Sequence, residues 1–329
     1  MRYRTFGRTG WQVSAIGYGM WGMGGWTGSD DDESLRSLER ALELGCNFFD
    51  TAWVYGDGRS ERLLGQLLRR TRTGPANSSN DPLYVATKIP PKNGKWPATS
   101  AYAIGETYPA DHIREYTEKS LQNLGVDTID LQQFHVWSDR WADDEGWQRA
   151  VDDLKREKLI RAVGISVNRR EPTNVMRALH TGLVDSVQVV YNIFDQAPED
   201  ELFPLCQARH IAVIARVPFD EGSLTGTLTA SSRWPDGDWR NTYFSDENLR
   251  QTLPRVDRLR PLVPDGMDLP ELALRFIVEH PAVSTTIPGM RKRRHVERNL
   301  GAGDDAKLPP RLYGALKAHR WDRVPGSVS

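Results

Sequence analysis

Two rhythms of apolar residues alternate along this chain. Short runs rich in Val, Ile, Phe and Tyr occur at Ala15–Gly19, Asn47–Thr51, Leu83–Lys88, Thr128–His135, Ala162–Ser166, Ser186–Tyr191, Ile211–Arg216 and Ser284–Pro288. They predict eight strands. Helical spacing covers Asp32–Leu44, Ser60–Arg70, Ala110–Leu124, Trp147–Glu157, Glu171–Leu179, Asp200–Ala208, Leu269–Glu279 and Arg293–Leu300. A separate pair, Tyr3–Phe6 and Gln12–Ser14, is joined by Gly7-Arg8-Thr9-Gly10 and reads as a hairpin ahead of the main fold. Repeated strand–helix alternation implies a parallel sheet. Val187-Gln188-Val189-Val190 and Ala212-Val213-Ile214-Ala215 hardly alternate, as strands buried on both faces do. Eight such units predict an α/β fold closed as a (β/α)8 barrel, with the N-terminal hairpin and an extra C-terminal helix within Arg311–His319. A doubly wound open sheet is the runner-up. Its glycine fingerprint runs straight into a helix, with an acidic residue about 20 positions on. The glycine-rich stretch from Gly17 to Gly25 lacks that spacing.

Three stretches read as long loops: Thr71–Pro82, Pro90–Pro109 and Asp220–Asn248. The last two follow strands, and loops after strands build the working face of such a barrel. Length fits one barrel domain spanning residues 1–329, and an apolar share of 39% supplies a core. A net charge of −1 argues against wholesale nucleic-acid binding. The two cysteines, Cys46 and Cys206, read as buried reduced thiols. No run reaches the roughly 18 apolar residues of a membrane span, and the first residues lack an apolar signal core. A soluble, cytoplasmic protein is expected, with a lean toward a monomer.

Chemistry enters at the strand ends. Asp50, Lys88 and His135 close the second, third and fourth predicted strands, and Tyr55 follows Asp50 in the loop. Each alone has an ordinary explanation as a solvated charge, a satisfied histidine or a surface aromatic. Together they aim an acid, a phenol, an amine and an imidazole at one rim. Tyrosine ionises near pH 10 when free. A nearby buried cation favours its phenolate and makes the phenol a better proton donor. A buried lysine needs a partner, and Asp50 can supply one.

The segment Asp50-Thr-Ala-Trp-Val-Tyr-Gly-Asp-Gly-Arg-Ser-Glu61 resembles the aldo-keto reductase signature, which runs D-T-A, then Y-G, then S-E. The resemblance continues through Ala86-Thr-Lys88, Asp130-Leu-Gln-Gln-Phe-His135, Gly164-Ile-Ser166, Gln188-Val-Val-Tyr-Asn192 and Ile287-Pro-Gly289, in order along nearly the whole chain. It implies an NADPH-dependent reductase of small aldehydes or ketones. Tyr55 is then the general acid, Lys88 and Asp50 tune it, and His135 orients the carbonyl. A cofactor-sensing subunit with little turnover is the alternative.

The resemblance also implies a cofactor site. Ser166, Asn168 and Gln188 stand at the carboxamide; the family often has Asn directly after that Ser, whereas here Val167 intervenes. Met20, Trp21 and Asp50 join them near the nicotinamide. Pro218, Ser223, Leu224 and Gly226 lie on the loop that would approach the pyrophosphate. Gly289, Arg291, Arg293, His295 and Asn299 would take the adenosine end. Arg291-Lys-Arg-Arg-His295 begins the last predicted helix, where cations are unfavourable unless an anion binds. That anion would be the 2′-phosphate. His295 and Arg298 depart from the family's usual Arg or Gln and Glu. Arg216 stands where an aromatic often stacks on the nicotinamide, and its planar guanidinium can take that place. Trp21, Trp53 and Trp137, with Tyr55 and His135, are the expected substrate contacts. Trp26, Trp96, Trp234 and Trp239 sit on loops placed to close over them.

Overall fold

Burial on both faces makes the short apolar runs the wall of a barrel. The computed structural model describes residues 1–25, 29–73 and 82–322. β1 (Tyr3–Thr5) and β2 (Gln12–Ser14) form the expected antiparallel hairpin. Eight parallel strands follow: β3 (Tyr18–Gly19), β4 (Phe48–Asp50), β5 (Tyr84–Ile89), β6 (Ile129–Phe134), β7 (Ile160–Ser166), β8 (Ser186–Val190), β9 (Ala212–Arg216) and β10 (Val283–Thr286). Each pairs with the next, so the chain never skips a neighbour. The circle closes between β10 and β3 through only isolated bridges, Ile16 with Thr286 and Gly19 with Gly289. Gly17 N–H donates to Thr286 O at 2.8 Å and Gly19 N–H to Pro288 O at 3.0 Å. A Cβ on Gly19 would sit 2.4 Å from Ile287 O, so a side chain there would force the two backbones apart.

The helices are α1 (Asp31–Glu43), α2 (Arg59–Thr73), α3 (Ile104–Thr107), α4 (Ala110–Leu124), α5 (Glu145–Arg156), α6 (Met176–His180), α7 (Leu202–Ala208), α8 (Arg240–Tyr243), α9 (Asp246–Leu259), α10 (Leu269–Glu279), α11 (Arg293–Gly301) and α12 (Pro310–Lys317). Their starts follow capping chemistry. Asp30, Asp144, Ser245 and Asp268 each accept a first-turn N–H of α1, α5, α9 and α10.

Three elements differ from the sequence reading, and the first is short: the expected Pro90–Pro109 loop holds the four-residue α3. The helix expected over Glu171–Leu179 shrinks to α6. Pro172 disfavours helix at Glu171, and the Glu171 carboxylate instead accepts from Asn168 and Asn174 in a turn. The expected Asp220–Asn248 loop contains α8 and the start of α9, a helix not expected from the sequence and carrying Pro254 in its interior. Of the expected Thr71–Pro82 loop, residues 74–81 lie outside the described residues, as does Trp26.

The hairpin seals one end of the barrel. Phe6 and Trp11 pack against Phe48 and Tyr84, with the Trp11 and Tyr84 rings stacked 5.0 Å apart. Ala86, Leu131, Ala162 and Ile214 fill the layer above them. Apolar side chains thus close this end, and a cavity opens at the strands' C-terminal ends. Cys46 and Cys206 are free and buried, and burial pushes both thiols up to about 12. Among the described residues no helix is long and apolar enough to cross a membrane.

Candidate active site

Side chains alternate along each strand, so one inward layer is shared by neighbouring strands. Lys88 on β5 is in register with Gln133 on β6, and Asp50 closes β4 beside them. Lys88 and Asp50 are 0% and 1% exposed. The Lys88 Nζ donates to Asp50 Oδ1 at 2.5 Å, to Thr51 O at 2.7 Å and to Tyr55 Oη at 3.4 Å. An ammonium has three protons, and these partners take all of them. The other carboxylate oxygen, Asp50 Oδ2, accepts from Gln188 at 2.8 Å and Gln133 at 3.1 Å. A buried charge pair survives only when its remaining lone pairs and protons are satisfied in this way.

His135 stands across the Tyr55 ring, edge to face at 5.7 Å, and its Nδ1 is buried without a partner. Burial, then Lys88 and Arg216, holds its imidazole well below the ordinary histidine range. It is neutral near pH 7, with one ring nitrogen a donor and the other an acceptor. Tyr55 corrects a simple expectation. Lys88 alone would make the phenol more acidic, but burial outweighs it and pushes Tyr55 up. Lys88 is a balance of the same kind. Burial lowers it, Asp50 and Tyr55 raise it by more, and the net direction is upward. Both groups therefore stay protonated at neutral pH.

Tyr55 and His135 line a cavity of about 500 Å³, with the Lys88–Asp50 pair buried behind Tyr55. Ser166 at the end of β7, Asn168 two residues beyond it and Gln188 within β8 border it, and Trp21 and Trp96 stand half-exposed at its mouth. Trp96 meets His135 edge to face at 4.8 Å, and Trp239 meets Trp21 at 5.9 Å. The structure does not bring Trp53 or Trp137 to the cavity. Trp53 packs on Tyr116 at 4.8 Å, with Lys119 over it. Trp137 is fully buried against Phe134 and Trp147, because the chain turns outward once β6 ends. Val54 and Val136 border the cavity instead; each directly neighbours a predicted site residue, which is the only sequence signal they carry. Trp234 stacks on Phe244 in a separate small cluster.

Asn168 is an anchor as well as a wall. Its amide donates to Ala98 O at 2.7 Å and ties the Trp96 loop to β7. Arg216 borders the cavity and donates to Val167 O at 3.0 Å, and its Nε is buried without a partner. Burial, then the nearby Arg169, pushes its guanidinium down to about 10. The loop after β9 carries Pro218, Ser223, Leu224 and Gly226 through an unusual backbone: Val217, Asp220 and Glu221 have φ of 57°, 46° and 57°. A β-branched residue in the left-handed region is strained, and such strain gathers at working sites. Asn192 holds the turn by donating to Val217 O at 3.1 Å.

Arg291 lies over Gly22, next to the β3–β10 closure at Gly289. Lys292 stands just before α11 without a side-chain capping bond, Arg293 pairs with Glu297 at 3.1 Å, His295 is half-buried and Asn299 is buried. The expected adenosine residues thus lie along α11 and the segment leading into it, beside the barrel rim. Gln133 was not singled out from sequence; an amide inside an apolar strand was the available sign.

Comparison with known proteins agrees with this layout. The profile of the Aldo/keto reductase family matches residues 15–320. An uncharacterized oxidoreductase of Bacillus subtilis, YqkF, is 29% identical over 97% of this chain and 96% of its own. The NADH-specific methylglyoxal reductase of Escherichia coli is 28% identical, over 92% and 93%. The yakc aldo-keto reductase [NADP(+)] of Schizosaccharomyces pombe is 27% identical, over 88% and 84%. The holo form of an aldo-keto reductase of Bacillus halodurans superposes with a TM-score of 0.76, at 26% identity and 99% coverage of both chains. With a profile match across nearly its whole length, on the barrel that this family uses, the chain belongs to the aldo/keto reductases, oxidoreductases that act on carbonyl compounds.

Proposed function

We propose that the chain reduces small aldehydes or ketones to alcohols with NADPH, and that Tyr55 is the proton donor. The observation that carries this is the saturated set of contacts around Lys88, which joins Asp50 to the Tyr55 hydroxyl beneath an open cavity. The residues present suit a nicotinamide. Buried polar atoms left without partners, His135 Nδ1, Asn168 Oδ1 and Arg216 Nε, gather on residues that line this cavity. When bound, the reduced nicotinamide supplies the hydride.

Ser166 and Gln188 are placed to hold its carboxamide, and Arg216 to lie against its ring. Backbone amides from Ser223 to Gly226 would meet the pyrophosphate, and Arg291 and its neighbours the 2′-phosphate. Tyr55 and His135 face the substrate oxygen together. As the carbonyl carbon gains the hydride pair, the oxygen takes the Tyr55 proton. The resulting phenolate stays beside the Lys88 ammonium until solvent returns a proton. Trp21 and Trp96 screen the cavity mouth from water.

NADPH oxidation with 4-nitrobenzaldehyde tests the reading; stable cofactor binding with no turnover over a broad aldehyde panel would favour a sensor instead. NADPH should bind at least about tenfold more tightly than NADH, and Arg291→Ala should erase most of that preference while leaving NADH unchanged. Fluorescence titration measures both, and equal affinities in the unaltered chain would remove the 2′-phosphate assignment.

The pH profile follows from two directions. Tyr55 donates only while protonated, and its shift is upward, so reduction falls only above the free-tyrosine value of about 10. His135 is shifted downward, so it does not charge near pH 6. Steady-state kcat/KM for reduction should therefore be flat between roughly pH 6 and pH 9. A titration step near pH 7 would contradict the assignment of either residue.

A further inference from the structure

We infer that Gln133 is a positioning residue that fixes which end of the Gln188 amide faces the cavity, so that Gln188 offers its Oε1 to the carboxamide N–H of a bound nicotinamide. The inference rests on the proposed placement of the carboxamide at Gln188.

Gln133 lies in β6, is 0% exposed and does not border the cavity, so it acts only through its neighbours. Interior layers of such barrels are mostly filled by Val, Ile and Leu, and a buried amide there needs partners. Gln133 has them. Its Nε2 donates to Asp50 Oδ2 at 3.1 Å, and its Oε1 accepts from Gln188 Nε2 at 3.2 Å. Gly164 on the next strand makes room: a Cβ there would fall 2.9 Å from Gln133 Cγ.

The orientation of both amides follows from the Asp50 carboxylate, which only accepts. Turning either amide around would set a carbonyl oxygen against a carboxylate oxygen with no proton between them. Gln188 therefore spends one Nε2 proton on Asp50 at 2.8 Å and the second on Gln133. Only Oε1 is left for the cavity that Gln188 lines. A carboxamide presents N–H donors and one acceptor, and an acceptor on Gln188 selects for a donor. Without Gln133, Asp50 still holds one Nε2 proton of Gln188, but the second loses its partner and the amide plane can swing about that single bond, so that Oε1 is no longer held toward the cavity.

The test compares NADPH with its 3-acetylpyridine analogue, in which a methyl ketone replaces the carboxamide and no N–H remains. Dissociation constants are measured for the unaltered chain and for Gln133→Met, which keeps length and removes the hydrogen bonds. The unaltered chain should favour NADPH by about fivefold or more, the order of one hydrogen bond. Gln133→Met should shrink that preference to about twofold or less, with the analogue's affinity nearly unchanged. A preference retained in Gln133→Met, or an equal loss for both ligands, overturns the inference alone. No preference in the unaltered chain overturns the placement of the carboxamide at Gln188, and this inference with it. If Gln133→Met does not fold, side-chain amide spectra of the unaltered chain decide. The two Gln188 Nε2 protons should exchange slowly and shift little when NADPH binds, and a large shift of both overturns the inference.

Discussion

Tyr55→Phe is expected to lower kcat for aldehyde reduction by about 10³-fold while changing the NADPH dissociation constant by less than about threefold. The substitution removes one oxygen and leaves the ring, its edge-to-face contact with His135 and the cavity walls in place. Ground-state binding of the cofactor depends on other residues, so the loss should appear in turnover. The phenol is the donor nearest to Lys88, and His135 is too poor an acid in its neutral form to replace it. Stopped-flow oxidation of NADPH separates the hydride step from product release. A variant that keeps more than about a tenth of the parent rate in that step would show that another group delivers the proton.

Lys88→Met should damage both rate and stability. Removing the ammonium strands the Asp50 carboxylate in the barrel with two amide donors and no counter-charge. Breaking a buried pair from one side costs about 3–5 kcal/mol. Turnover should fall by at least about 10²-fold, because the phenolate left by proton transfer loses its cation. The double variant Lys88→Met/Asp50→Asn separates the two effects. With both charges gone it should recover most of the lost stability in urea denaturation and none of the lost turnover. If the double variant is as unstable as the single one, the cost lies in packing. If it regains turnover, Lys88 serves the fold and not the reaction.

The barrel and the floor of the site were legible in the sequence for a common reason. Strand period and strand ends are local properties, and Asp50, Lys88 and His135 sit where inward-facing runs stop. What a side chain does after its strand stops is not local. Trp137 turns into the core toward Trp147, and Trp53 turns outward to Tyr116, though both lie within a few residues of the site. The amide contacts to Asp50 were hidden for another reason. They join positions 83 and 138 residues apart, and only the closed barrel brings them together. The upward direction at Tyr55 was missed because burial cannot be read from a loop residue, and here burial outweighs the nearby cation.

The circle of strands is stitched unevenly. Seven junctions are ladders, the β9–β10 one with a register shift, whereas β3 meets β10 through two bridges and a few backbone bonds, from Gly17 to Thr286 and from Gly19 to Pro288 among them. That seam is the place where the wall can breathe at least cost. Its two lips carry Met20 and Trp21 on one side and Gly289 and Arg291 on the other. A dinucleotide held by both lips would work as a clasp, fastening the one loose joint of the wall each time it docks and releasing it each time it leaves.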